Sequence, residues 1–404
     1  MNIIGGTYTE ICFEPIWENI YGSGFRAVNL IQCFDPEKEI VFHTCCDSKL
    51  SAHLDLYNKL HPKLTINPNQ INVSPVFYYD HPLKTPMIFP RPDLYSEDNI
   101  KIEVIDENIL AFGLLEASIK IIGGKVVYDP QSPANPKSFL STGSQAKELV
   151  IVINFSEAKK ISGENEIEKI REFFFDIEKC FALIIKMGPK GALLFETGSK
   201  VAKCIPVFQT ERVWPIGSGD VFSGFFAYSW FNGDDLHTSA RKASMATSIY
   251  CNTMDLSIAN SLAAFEFSEL NIGEESLGQI YLAGPFFTFS ERWLINEIWS
   301  SLVKIGLKVF SPYHDVGHGK AKDVVQKDLV GLDDSEVVLA VLDGLDSGTL
   351  FEIGYAIAKQ KKIIVFVQNE DEESLKMLEG TDCILEKDLT TAIYKTYWNA
   401  ARTK

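Results

Sequence analysis

The chain has 404 residues, 46% of them hydrophobic and 23% charged, with a formal net charge of −16. That is enough apolar material for two buried cores, and the acidic balance argues against nucleic acid or an anionic membrane as partner, because either would be repelled. No run approaches the ~20 apolar residues of a membrane-spanning helix, and the 8 cysteines show no C-x-x-C spacing, so neither a zinc site nor a disulfide framework is expected.

The N-terminus, Met1-Asn2-Ile3-Ile4-Gly5-Gly6, lacks a basic segment and reads as a first strand, not a signal peptide; a cytoplasmic protein is expected. Thr7-Tyr8-Thr9-Glu10 continues it, and after a short link comes Gly22-Ser23-Gly24, followed by Asn29. The adjacent Cys45-Cys46 read as reduced core or loop thiols. Two apolar runs of strand length follow, 149–153 and 182–185. The first leads into Asn154-Phe155-Ser156-Glu157 and the second into Lys186-Met187-Gly188-Pro189-Lys190-Gly191. Trp214-Pro215-Ile216-Gly217-Ser218-Gly219-Asp220 then precedes an apolar helix predicted over 221–230. Glycines leading into a helix leave backbone N–H groups free to hold the oxyanions of a phosphoryl group, and Asp220 sits at the end of that cradle.

In this order the pieces resemble the ribokinase (PfkB) family of sugar and nucleoside kinases. The resemblance implies ATP and Mg²⁺ as cofactors, with Gly217, Ser218 and Gly219 at the phosphates. Asp220 would be the base that takes the proton from the attacking hydroxyl. Asn154 and Glu157 match an N-x-x-E element that helps hold magnesium and phosphate without binding the metal directly, and Lys186 and Gly188 match an element beside the nucleotide. Asn29 and Glu10 fall on the substrate side. The chain departs from the family pattern in having Glu10 where Asp is usual, a shorter lid, and Val213-Trp214-Pro215-Ile216 in place of Asp-Thr-Thr.

A polar stretch at 267–278 divides the chain into expected domains of 1–275 and 276–404. Beyond it, Ile280-Tyr281-Leu282-Ala283-Gly284-Pro285-Phe286-Phe287 is followed by Gly306, Pro312 and Asp328. The apolar run 337–342 then enters the acidic loop Asp343-Gly344-Leu345-Asp346-Ser347-Gly348, and helical spacing runs from about 349 to 359. Strand, acidic loop and helix form the place where α/β proteins bind ligands. Glu352 falls in the first helical turn with Phe351, Ile353 and Tyr355 around it, so its carboxylate is partly desolvated yet ionised, as a nucleophile needs.

This second set resembles the nucleoside 2-deoxyribosyltransferases and their N-glycosidase relatives. The resemblance implies that Glu352 attacks the anomeric carbon, that Asp346 binds a sugar hydroxyl, and that Asp328 handles the proton on the base. Tyr281 would orient Glu352, with Gly284, Pro285 and Gly348 beside the substrate, and this half needs no cofactor. Relatives that cleave nucleoside monophosphates carry a small hydroxyl residue at the position of Asp346, and a carboxylate there repels a phosphate dianion. A free nucleoside is the expected substrate. Relatives also complete their sites across a subunit interface with residues near the C-terminus, which makes a homo-oligomer the expectation and Tyr397, Trp398 and Asn399 the candidates; simple packing is an equal reading of the terminal aromatic pair. His314 and His318 lie in a Gly-rich loop without a third ligand and read as loop residues near the base pocket, not as a metal pair.

The fold class expected is α/β twice over: a ribokinase-like α/β domain with a reduced lid, then a compact Rossmann-like parallel α/β domain. The function expected is bifunctional: N-glycosidic cleavage or exchange in one half, and phosphorylation of a nucleoside or pentose in the other. A second reading stays open, in which the kinase-like half is a sensor and the other half an effector that depletes a nucleotide such as NAD. Asp220, Asn154 and Glu157 favour the first reading, and the short lid favours the second.

Overall fold

The computed structural model describes residues 1–95, 100–132, 135–258, 262, 268–270, 277–317 and 319–402. They divide into two compact units, residues 1–210 with 214–271 and residues 211–213 with 272–404. Most of the polar stretch 267–278 lies outside the described residues, as does His318. No helix among the described residues is long and apolar enough to cross a membrane.

The first unit is built on a nine-stranded sheet. From Ala182–Lys186 the parallel order runs through Gln145–Asn154, Ser118–Asp129, Lys101–Phe112, Asn2–Ile4 and Ile40–Cys46 to Leu64–Gln70. Ala192–Glu196 and Lys203–Ile205 add antiparallel strands at one edge. Both faces of the centre are covered, so its strands are continuous apolar runs without polar alternation. Along Gln145–Asn154 the side chains alternate between two apolar clusters, Val150 and Val152 in one, Ile151 and Ile153 in the other.

The helix Ser218–Phe231 is apolar all round and almost wholly buried, as a helix in a covered layer must be. It packs on the helix Ser23–Phe34, where Gly224 permits the close approach: a Cβ there would stand 3.1 Å from the Ala27 Cβ. The first strand ends at Ile4, and Tyr8 to Glu10, expected to continue it, instead form with the short link the hairpin Tyr8–Cys12 and Trp17–Tyr21. Val76–Tyr79 and Met87–Phe89 extend it to a separate four-stranded sheet, a component that sequence inspection did not identify.

The second unit has a five-stranded, wholly parallel sheet in the order Lys308–Phe310, Gln279–Ala283, Val337–Val341, Lys362–Phe366, Ile384–Glu386. Its first strand in sequence is flanked by the second and third, so the order reverses beside Gln279–Ala283. That reversal opens a crevice at the carboxyl ends of the strands. Tyr397 and Trp398, on the closing helix Leu389–Arg402, are 0% and 2% exposed. The helix packs on the strands Gln279–Ala283, Val337–Val341 and Lys362–Phe366, and the Asn399 amide donates to the Lys395 carbonyl. The burial of Tyr397 and Trp398 agrees with the packing reading of the terminal aromatic pair.

Candidate functional site

In the second unit Tyr281 sits on Gln279–Ala283 and Glu352 in the helix Ser347–Ala358 that follows the neighbouring strand. The strand reversal aims both at one crevice, and the Tyr281 hydroxyl donates to Glu352 Oε1 at 2.5 Å. The Tyr281 ring is fully buried and stacked on Phe310, which fixes the direction of that hydroxyl. Asp328, on the helix Ala321–Asp333, acts electrostatically on both groups. Its Oδ1 is buried and has no hydrogen-bond partner among the described residues.

Asp328 and Asp346 both act on Glu352, and among the described residues no cation pairs with it. Burial pushes the Glu352 carboxyl up to about 7; the Tyr281 hydrogen bond works against this, and the charges of Asp328 and Asp346 add to it. Burial also raises Asp328. Burial, then Glu352 itself, pushes the Tyr281 phenol far up, so it remains a donor.

Asp346 is the N-cap of the Glu352 helix: its Oδ2 accepts from the Thr349 N–H at 2.8 Å and from Thr349 Oγ1 at 2.9 Å. Sequence inspection gave it a ligand role and missed this local one. A Cβ at Gly348 would stand 3.1 Å from that Oδ2. Gly284 and Pro285 follow the Tyr281 strand, and a Cβ at Gly284 would press to 2.7 Å on Ile295 Cδ1. His314 stacks on Trp299 and shares a hydrogen bond with Asn296, so it is held by packing in its loop.

In the first unit the sequence-selected residues fall into two charged clusters. Asp220, in the first turn of Ser218–Phe231, receives Arg26 Nη1 on Oδ2 at 2.5 Å and Gln131 Nε2 on Oδ1. The other arm of Arg26 donates to Glu10 Oε2, while the Gly22 N–H donates to Glu10 Oε1 at 3.0 Å. Burial would lower the Arg26 pKa, but Glu10, Tyr250 and Asp220 hold it well above its usual range.

In the other cluster, Lys186 Nζ meets Asp129 Oδ2 at 2.6 Å, and the Ser223 hydroxyl donates to the same oxygen at 2.7 Å. Lys186 lies beside the glycine loop, its Nζ 3.2 Å from where a Cβ on Gly219 would stand. Burial opposes the Lys186 charge, but Asp129 and Glu157 hold its ammonium above the usual range. Asn154 and Glu157 form a reciprocal capping box, with Asn154 Oδ1 accepting from the Glu157 N–H and Glu157 Oε2 from the Asn154 N–H. Burial, then Asp129, pushes the Glu157 carboxyl up to about 7. Asp129 is raised by burial against the pull of Lys186, and its Oδ1 has no partner among the described residues.

Gly217 has φ 76° and caps the helix, and Ser218 and Asp220 give their N–H groups to Pro215 and Gly217 carbonyls in the turn. Gly188, with φ 59°, turns the chain after the Lys186 strand. Asn29, three residues after Arg26 on the helix Ser23–Phe34, donates its amide to the Phe25 carbonyl one turn back. Arg26, Gln131, Asp129 and Ser223 were missed. Only Asp129 carried a signal, as an acid closing the buried apolar run before Pro130.

A family model described as pfkB family carbohydrate kinase matches residues 104–261. Another, described as nucleoside 2-deoxyribosyltransferase, matches residues 280–387. Among solved structures, a ribokinase from Thermotoga maritima is 18% identical, covering 65% of this chain and 97% of that one, with a TM-score of 0.48. A double mutant of the Vibrio cholerae fructokinase, bound to fructose, ADP and potassium ion, is 14% identical with coverages of 65% and 97% and a TM-score of 0.49. A nucleoside kinase from Methanocaldococcus jannaschii is 14% identical, with 65% and 96% coverage and a TM-score of 0.45. No curated protein matches the chain.

The electrostatics of the second unit give a direct expectation. Asp328→Asn removes a negative charge near Glu352, which makes ionisation easier, so the Glu352 midpoint falls below about 7. Carbon-13 NMR titration of the side-chain carboxyl reads this; an unchanged or higher midpoint contradicts the placement of Asp328.

Proposed function

We propose that this chain, a fusion of a ribokinase-like (PfkB) segment with a nucleoside 2-deoxyribosyltransferase-like one, is a bifunctional enzyme of nucleoside metabolism. In this reading the second unit cleaves or exchanges the N-glycosidic bond of a nucleoside. The first transfers a phosphoryl group from ATP to a nucleoside or pentose. The observation that carries the glycosidic half is the Tyr281–Glu352 hydrogen bond with Asp328 beside it at the strand ends.

Tyr281 holds Glu352 Oε1, which leaves Oε2 to attack the anomeric carbon. As that C–O bond forms, the C–N bond breaks and its electron pair goes to the base, whose nitrogen takes a proton from Asp328. The raised Asp328 pKa suits a donor. Water or the nitrogen of a second base then attacks the same carbon, gives its proton to the Asp328 carboxylate and releases Glu352, giving hydrolysis or exchange. Asp346 offers Oδ1 to a sugar hydroxyl while Oδ2 caps the helix.

In the first unit the acceptor hydroxyl attacks the terminal phosphorus of ATP, the bridging P–O bond breaks, ADP leaves, and Asp220 takes the hydroxyl proton. Lys186 and the helix start at Gly217 to Asp220 would face the phosphates. The residues fit a magnesium ion, which would be held near Asp129, with its orphaned buried oxygen, and Glu157, which is crowded by like charge. The ion's role there is to neutralise phosphate charge. Both family matches are to enzymes of sugar or nucleoside chemistry, which favours this reading over a nucleotide-depleting effector with a kinase-like sensor. A panel of nucleosides and NAD offered to the purified protein, with products separated by chromatography, tests the choice; base release from NAD alone would reverse it.

Glu352→Ala is expected to lower base release by several orders of magnitude, since the nucleophile is gone; near wild-type release in this variant would sink the assignment. For the first unit, Asp220→Asn should retain ATP binding and lose phosphoryl transfer, because an amide keeps the shape but cannot accept the proton. Turnover that survives the change rules out Asp220 as the base.

Asp346→Ser keeps an N-cap and removes the charge that repels a 5′-phosphate. Its kcat/KM should fall for a nucleoside and rise for the matching monophosphate. A wild type that already prefers the monophosphate contradicts the substrate class.

A further inference from the structure

The phosphotransfer reading requires an acceptor hydroxyl within hydrogen-bond reach of Asp220. In the structure neither Asp220 oxygen lacks a donor: Arg26 Nη1 holds Oδ2 and Gln131 Nε2 holds Oδ1. Glu10, the other acid on the substrate side, is likewise held, by Arg26 Nη2 and the Gly22 N–H. One guanidinium therefore makes the hydrogen bonds that hydroxyl groups of a pentose would make to the same two acids.

The position of that guanidinium is tightly defined. Arg26 is 1% exposed, and its Cζ lies 4.8 Å from the centre of the Tyr21 ring. Its Cζ also lies 2.1 Å from where a Cβ on Gly217 would stand, so it rests against the glycine loop itself. Buried donors are seldom left unpaired, yet Arg26 Nε has no partner among the described residues.

We propose that Arg26 stands in for the phosphate acceptor, bridging Glu10 and Asp220, so that a neutral pentose or nucleoside binds the first unit only by displacing its guanidinium. This rests on the phosphotransfer reading of Asp220. Arg26 is then a specificity-determining and positioning residue. It disfavours acceptors that offer too few hydroxyl groups to replace its bonds, and it keeps Asp220 from taking a proton until the acceptor is seated. A lysine in its place would keep the charge but could not fork between two carboxylates.

The test is isothermal titration of the full chain with D-ribose and with adenosine as probes, and with ADP as a control. Arg26→Gln should bind at least one of the two acceptor probes about tenfold or more tightly than wild type, with ADP affinity nearly unchanged and Arg26→Lys intermediate. No gain for either probe overturns the proposal. Removing Arg26 leaves two carboxylates without their cation, so Arg26→Lys, which keeps the charge but cannot fork between them, supplies the same readout if the glutamine variant does not fold. A gain in this variant supports the proposal, and no gain overturns it.

Kinetics separate displacement from a chemical role. With ATP, Arg26→Gln should lower the KM for the acceptor. A fall in kcat without a change in KM, rescued by Arg26→Lys, would make Arg26 a cation needed for transfer and overturn the stand-in role. Failure of the wild type to bind ADP would instead refute the phosphotransfer reading, while the acceptor titrations still decide whether Arg26 competes.

Discussion

A guanidinium removed from water needs carboxylates around it, and the centre of the first unit is organised about that requirement at Arg26. Its two arms join Glu10, on the hairpin sheet, to Asp220, at the start of the helix 218–231. Taking one partner from a buried pair costs about 3–5 kcal/mol, because a charge is left stranded. The hairpin, the helix Ser23–Phe34 that carries Arg26, and the glycine loop are therefore constrained together. The Gly22 N–H on Glu10 and the contact of Arg26 with Gly217 tighten the same arrangement. Any ligand that uses Glu10 or Asp220 must compete with a bond the fold already makes.

The two units treat buried acids differently. In the first, Arg26 and Lys186 pair with Glu10, Asp220 and Asp129, so each of these acids has a fixed cation against it. In the second, Glu352 has a phenol for a partner and two acids for neighbours. Its carboxyl responds by rising to about 7, so its charge follows pH near neutrality. An ion pair sets geometry and resists opening, whereas a hydrogen-bonded carboxyl without a cation stays basic and ready to react. The second arrangement suits a nucleophile and the first suits a gated site.

Much of both units was legible in the chain. The runs 149–153, 182–185 and 337–342 became buried parallel strands because a strand covered on both faces is apolar without interruption. The glycine-led helix at Ser218 and the acid-led helix at Ser347 both formed close to the expected positions. Less was legible of what each polar residue does. Asn154 and Glu157 were read as phosphate-side residues, and their spacing of three also makes a capping box. Asp346, read as a sugar ligand, also caps its helix. The hairpin Tyr8–Cys12 and Trp17–Tyr21 was read as the end of the first strand and a short link, since the buried face of Tyr8–Cys12 carries Tyr8, Glu10 and Cys12 and so lacks an apolar alternation.

Strand runs, helix starts, glycine turns and caps follow from interactions between residues a few positions apart, so the order of letters carries them directly. The long-range pairs do not. Arg26 and Asp220 are separated by 194 positions, and Tyr281 and Glu352 by 71. Arg26 in particular reads as an ordinary polar residue of an amphipathic segment until the helices of residues 23–34 and 218–231 pack together. Which charges meet depends on the path of the chain through the sheet and on the desolvation that packing imposes. That path decided that Asp220 would be held by a cation and Glu352 by a phenol.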